Sequence, residues 1–248
     1  MFQAALPMYL RPETEPALNL FWGIIRDGIV ARGAALPKDL PEALAAPEAL
    51  WAHWLAPDLI LSQACSLPFR AQLRDKVVYV ITLDYGLPGC PEGYYNSVVV
   101  TRPGGVPEGV LACNATNSQS GWAAAREVIE AGRGLAGAVL ATGAHLASLE
   151  AVAEGRADWA CIDAQTWALA QRWEPVAARV EERFRTAPTP GLPLITAPGQ
   201  NATEIASAVE EAAQLLDETT RQTLGLKGAV RLTGQMYLDM PIPEAPAA

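Results

Sequence analysis

Apolar positions along this chain come in blocks, and the blocks differ in period. Leu18, Phe21, Trp22, Ile25 and Ile29 recur three and four residues apart, which places them on one face of a helix. Thr14 stands at the N-cap of that helix and Pro16 in its first turn, where a missing N–H costs no helical hydrogen bond. "NATEIASAVEEAAQLLDE" carries a second helical stripe, with Asn201 or Thr203 as its cap. Between the two stripes lie short, continuously apolar runs: "DLILSQ", "KVVYVITLDY", "YYNSVVVTR", "GVLACNA", "GAVLATG" and "DWACID". Their length and β-branched content predict buried strands. "FQAALPMY" reads as another strand, and "RVEERFRTA" as an extended, charged segment. "HLASLEAVAEG" and "AQTWALAQRW" predict helices, with a shorter one near "PEALWAHWLA". "DYGLPGCPEGYY" is a turn-rich loop, "TAPTPGLPLITAPG" a proline-rich turn enclosing a short strand, and "PIPEAPAA" a frayed tail. Alternating strands and helices predict an α/β fold with mainly parallel sheets.

The polar residues cluster just behind the strands: "MY", "SQ", "NSQSG", "TGAH" and "CID". Ligands of open α/β sheets collect outside the carboxyl ends of strands. In "NATNSQSGWAAAREVIEAG", residues 114–132, small polar residues run directly into a helix. The first turn of a helix has backbone N–H groups without helical partners, and the helix dipole favours negative charge there. Ser118, Gln119, Ser120 and Gly121 are therefore the candidate anchor for an oxyanion, with two hydroxyl donors and a glycine that permits close approach. The same serines also suit plain helix capping. His145 offers ring nitrogens to an oxyanion or caps the helix that follows it. Tyr95 offers a phenol or a ring face, or serves as a core aromatic. Tyr9 and Gln63 end strands and complete the candidate set. Asp163 is a ligand group or a helix cap; as a carboxylate it repels an anion unless it meets a cationic or hydroxyl-bearing part of the solute. His53, between Trp51 and Trp54, reads as structural, and Trp122 as core.

Composition narrows the classes. The chain has 248 residues, half of them apolar, enough for one large domain or two small ones. A formal net charge of −9 without a basic run excludes nucleic acid as the expected partner. No apolar run reaches the roughly 20 residues that span a bilayer. Pro7 and Arg11 interrupt any signal-peptide pattern, so the expected location is cytoplasmic as the sequence stands, or periplasmic where an export signal has been removed. Cys65, Cys90, Cys113 and Cys161 form no C-x-x-C pair and there are two histidines, so no metal is expected. Cys65 and Cys90 lie in Pro/Gly-containing loops suited to a bridge in an oxidising compartment, whereas Cys113 and Cys161 read as buried thiols. No Gly-rich dinucleotide fingerprint appears, and no cofactor is expected.

Four motifs in order resemble one family, the phosphate/phosphite/phosphonate-binding proteins of ABC transporters. "GYYNSVVVTR" is similar to its Gly-Tyr-x-Ser strand, with Tyr95 and Ser97 matching. "NSQSGW" is similar to its Asn-Ser-x-Ser-Gly-aromatic motif, with Gln119 where a hydroxyl residue is usual. "GAHLASLEAVAEGRADWACID" resembles its Gly-His…Gly-x-Ala-Asp segment through His145, and "PTPGLP" its Pro-x-Pro-Gly-x-Pro turn. The resemblance implies a type II periplasmic-binding-protein fold of two lobes that close on a solute. Lobe one is then residues 1–95 and 188–248, lobe two 102–181, with crossings at 96–101 and 182–187. It also implies a non-catalytic solute-binding role with an ABC permease as partner. Carboxylates that hold an ammonium in amino-phosphonate binders correspond to Gln165 and Leu192, so the resemblance implies a solute without that amine, unless Asp163 takes over their role. Two alternatives stay open. One is a cytoplasmic enzyme of cofactor-precursor synthesis on the same fold, of thiamine-pyrimidine or menaquinone type, with His145 and Asp163 as its acid–base pair. The other is a cytoplasmic ligand sensor.

Overall fold

The computed structural model describes residues 2–33, 37 and 39–245. The chain divides into two compact units: Met1–Gly86 with Pro190–Met240, and Leu87–Thr189 with Pro241–Ala248.

Unit one begins with β1 (Gln3–Ala5) and a single 3-10 turn, Pro7–Tyr9. Proline cannot donate to a sheet ladder, so the strand read through "FQAALPMY" stops short and Tyr9 sits in the turn behind it. Then follow α1 (Glu15–Ala31), α2 (Leu50–Trp54), β2 (Leu59–Gln63), α3 (Ser66–Pro68) and β3 (Val78–Asp84). Thr14 occupies the N-cap position of α1, but its hydroxyl donates to the Tyr9 carbonyl at 2.7 Å and thereby ties the Tyr9 turn to the helix start.

Unit two runs β4 (Tyr94–Tyr95), β5 (Ser97–Thr101), β6 (Glu108–Cys113), α4 (Ala124–Glu130), β7 (Leu135–Ala141), α5 (His145–Ala153), β8 (Trp159–Asp163), α6 (Ala164–Trp173) and β9 (Glu181–Arg185). After β10 (Thr189–Pro190) the chain re-enters unit one with β11 (Pro193–Thr196), α7 (Ala202–Leu215), α8 (Glu218–Leu224), β12 (Gly228–Val230) and α9 (Gly234–Leu238). The segments 96–101 and 182–187 contain β5 and β9, which pair with each other inside unit two.

The sheet of unit one has the order β1-β2-β11-β3-β12 and that of unit two β7-β6-β8-β5-β9. Strands joined through helices keep a common direction: β1 and β2 are parallel neighbours, as are β6 with β7 and β6 with β8. Strands that return from a crossing run against them. β11 lies antiparallel between β2 and β3, and β5 antiparallel between β8 and β9. Most strands of each five-stranded sheet thus point one way, but β11 and β12 in unit one and β5 in unit two run against them, so among the described residues five of the eight pairings in these sheets are antiparallel.

The α1 stripe behaves as its spacing predicts. Leu18, Phe21, Trp22, Ile25 and Ile29 are all buried in the core of unit one, together with Ile205, Val209 and Ala212 of α7. Burial of each large apolar side chain contributes roughly 1.5–3 kcal/mol. Asn201 caps α7 by accepting from Glu204 N at 3.3 Å. The core of unit two gathers Val99, Leu111, Cys113, Trp122, Trp159 and Cys161. None of the four cysteines is in a disulfide; Cys65 and Cys90 are half-buried, Cys113 and Cys161 buried. Burial pushes the Cys113 thiol up to about 11 and Cys161 higher still, which keeps both protonated and unreactive. His53 is buried, with Nε2 3.0 Å from Ser62 Oγ and Nδ1 3.2 Å from Gln3 Oε1, a structural role.

Candidate functional site

In each unit the polar residues behind the strands meet at one edge of the sheet. In unit one, β1, β2 and β3 share a direction, so Tyr9, Gln63 and Tyr85 follow their carboxyl ends side by side. The rings of Tyr9 and Tyr85 meet edge to face with centroids 5.1 Å apart. Gln63 Nε2 donates to Tyr85 Oη at 3.4 Å, and Gln63 is buried at the end of β2. In the sequence Tyr85 lies where the strand run "KVVYVITLDY" overlaps the turn-rich "DYGLPGCPEGYY". Its position just behind β3 is the same signal that singled out Gln63 behind β2.

In unit two the corresponding edge carries the quoted turn. Ser118 has extended backbone and is the N-cap of a wide π-type turn, Gln119–Ala123, that leads into α4. The Ser118 hydroxyl accepts from Gly121 N at 3.0 Å, and the Ser118 carbonyl accepts from Ala123 N at 3.0 Å, five residues on. Ser118 thus caps the turn through its side chain. A serine hydroxyl that accepts still has its own O–H to donate, whereas the Gly121 N–H is already used. Gly121 is required by its neighbour: a Cβ there would collide with Asn114 Oδ1 and come within 3.3 Å of Ser118 Oγ. Ser118, Gln119 and Ser120 are each 6% exposed, so a solute reaching them leaves bulk water.

Ser120 and His145 are brought together from different loops. Ser120 Oγ lies 2.8 Å from His145 Nε2, and the Ser120 carbonyl accepts from Ser97 Oγ at 2.9 Å. His145 opens α5 behind β7, and Ser97 stands opposite Asp163 in the β5–β8 register. Four chain segments thus fix one corner. The loops behind β6 and β7 are cross-tied by Thr142 N to the Cys113 carbonyl at 2.9 Å and Gly143 N to the Asn114 carbonyl at 3.0 Å.

The imidazole adds no charge to this corner at pH 7. Burial pushes the His145 imidazole down to about 4, so it is uncharged. His145 Nδ1 is enclosed and has no protein hydrogen-bond partner, although the residue as a whole is only half-buried. When Nε2 carries the proton it donates to Ser120 Oγ, which frees the Ser120 O–H for another acceptor. The pair has the outward form of a nucleophile and its base. Nδ1 lacks the carboxylate that orients the imidazole and stabilises its protonated form in hydrolytic triads.

Asp163 sits at the N-cap of α6 and its Oδ1 accepts from Thr166 N at 2.8 Å, so one carboxylate oxygen holds the helix. Tyr95, in β4, is 3% exposed. Gln165 and Leu192 are both buried and uncharged. Among the described residues, no group of three His, Cys, Asp or Glu converges as a metal site, and no helix is long and apolar enough to cross a membrane. A broader surface groove on unit one, lined by Ser207, Glu210, Gln214, Arg221 and Lys227, lies on α7, α8 and their neighbours. Its guanidinium is spent on the carbonyls of Ala213 and Lys227.

No protein-family model and no curated protein matches the chain in sequence. Solved structures do match. A Prochlorococcus marinus protein, PhnD1, in complex with methylphosphonate superposes with a TM-score of 0.68 at 14% identity, over 96% of this chain and 94% of its own. A Xanthomonas citri protein solved with chloride matches at TM-score 0.65 and 14% identity, covering 95% and 92%. A binding component of a Pseudomonas aeruginosa ABC phosphonate transporter matches at 0.59 and 11%, covering 95% and 82%. Similarity at this identity establishes the fold: the chain has the α/β architecture of type II periplasmic binding proteins.

Proposed function

We propose that this protein binds a small solute bearing an oxyanion, of phosphonate or phosphite kind, between two closing lobes, as the solute-binding component of an ABC transporter. The observation that carries the reading is the corner formed by Ser118, Ser120 and His145. Two hydroxyls in the turn leading into α4, 6% exposed, meet one neutral imidazole at the start of α5, behind the carboxyl ends of β6 and β7. Such a site holds an anion with dipoles and hydrogen bonds rather than with a salt bridge. Tyr9, Gln63 and Tyr85 supply a second polar edge for the rest of the solute. Methylphosphonate on a protein of the same fold supports the choice of oxyanion. The uncharged Gln165 and Leu192 favour a solute without an ammonium group.

Thermal unfolding in the presence of methylphosphonate, phosphite, phosphate and sulfate tests this. A ligand at a hundredfold excess over its dissociation constant adds about 2.7 kcal/mol of stability. We expect a shift with at least one phosphorus oxyanion and its loss in the Ser118→Ala/Ser120→Ala double variant. A double variant that binds as well as the parent would overturn the assignment.

A further inference from the structure

We propose that the C-terminal tail is a strap that docks on Trp122 and braces the turn formed by residues 118–123. Residues Pro190–Met240 belong to unit one, yet the chain from Pro241 onward belongs to unit two. The chain thus changes unit a third time, after Met240. There the indole Nε1 of Trp122 donates to the main-chain carbonyl of Glu244 at 2.7 Å. Trp122 follows Gly121 directly; its ring is 3% exposed and packs in the unit-two core with Val99 and Trp159. A buried indole N–H needs an acceptor, and here the tail supplies it. Pro241 and Pro243 lack N–H donors and favour extended backbone, which leaves the tail's carbonyls to make contacts. The segment read as frayed is therefore held at Glu244, while residues 246–248 lie outside the described residues.

The strap acts where bracing matters. The turn from Gln119 to Ala123 is π-type, closed by an i to i−5 bond rather than by the regular helical ladder. Holding Trp122 from outside fixes the residue that anchors this turn in the core. Undocking the tail loosens the turn and weakens whatever binds at its hydroxyls. That last consequence rests on the oxyanion reading above; the docking itself does not.

Hydrogen exchange on the ligand-free protein separates the two. In a chain ending at Met240, amides 119–124 exchange roughly tenfold faster, the change expected from losing about one buried hydrogen bond. Amides of β8 keep their protection and report that unit two is folded. In the full chain with Trp122→Phe, the heteronuclear ¹⁵N NOEs of Ile242, Glu244 and Ala245 fall, as expected when the tail loses its hold through the Glu244 carbonyl. Unchanged exchange at 119–124 in the shortened chain, or a tail whose NOEs match the parent's without the indole N–H, overturns the strap. Methylphosphonate titration then reads the consequence: severalfold weaker binding to the shortened chain extends the strap to the site. Faster exchange with no methylphosphonate binding to either chain supports the strap and counts against the oxyanion reading.

Discussion

Replacing Gly121 by alanine tests the geometry of the candidate site without any ligand. Gly121 occupies the π-type turn, and the space a Cβ would need holds Asn114 Oδ1, with Asn114 Cγ at 3.1 Å and Ser118 Oγ at 3.3 Å. Asn114 Oδ1 is itself buried without a hydrogen-bond partner. Forcing one extra carbon into such packing costs roughly 1–3 kcal/mol. Movement of the turn to relieve it also strains the bond from Gly121 N to Ser118 Oγ. A double-mutant cycle isolates the cause. Asn114→Ala removes the obstructing oxygen, so Gly121→Ala in that background should cost less than about 1 kcal/mol by urea unfolding, with the difference appearing as a favourable coupling. Additive costs would refute the contact, because then the glycine is needed for some reason other than the asparagine oxygen. The same pair should recover part of any methylphosphonate affinity lost in the single variant.

Other perturbations read other parts of the account. The lowered pKa of His145 means that the unfolded state takes up a proton which the folded state refuses between about pH 6.5 and 4. Stability conferred by the neutral ring is therefore full above pH 6.5 and is lost as pH falls towards 4, by at most about 3 kcal/mol. His145→Gln should flatten that slope, and identical pH profiles for parent and variant would contradict the shielding. Gly109 has φ 105°, and a Cβ there would crowd the Asp158 carboxylate, which accepts from Val110 N at 2.8 Å and Arg102 Nη2 at 2.9 Å. Gly109→Ala should destabilise the protein by roughly 1–3 kcal/mol in urea, and wild-type stability would show that strand β6 adjusts freely at this point.

What could be read in the sequence was whatever is periodic or directly behind a strand. The α1 stripe, the α7 cap and the clusters behind β1, β2, β6, β7 and β8 were all legible, because side-chain spacing and helix starts are local properties. Non-local facts were less so. Pro7 ended β1 early, so Tyr9 reaches the sheet edge from a turn rather than from a strand. The insertion of β11 between β2 and β3 depends on pairing across more than a hundred residues, which no local pattern encodes. Tyr85 was hidden in a Gly/Pro-rich stretch, and Asn114 lay at the far edge of the quoted segment, where its contact with Gly121 is invisible without coordinates. The Ser120–His145 bond joins the starts of two helices in different βα units; the residue types were recognisable, their pairing was not. Capping and ligand binding also use the same residue types, and only the structure showed Ser118 and Asp163 engaged as caps.

The central claim is that a solute oxyanion rests on the Ser118–Gly121 turn beside His145. Titrating the ¹⁵N-labelled protein with methylphosphonate and following amide shifts tests it most directly. The account predicts saturable shifts largest at residues 118–122 and 145, with smaller ones at Tyr9, Gln63 and Tyr85. A titration that leaves the turn unmoved, or moves instead the groove around Glu210 and Lys227, would contradict it.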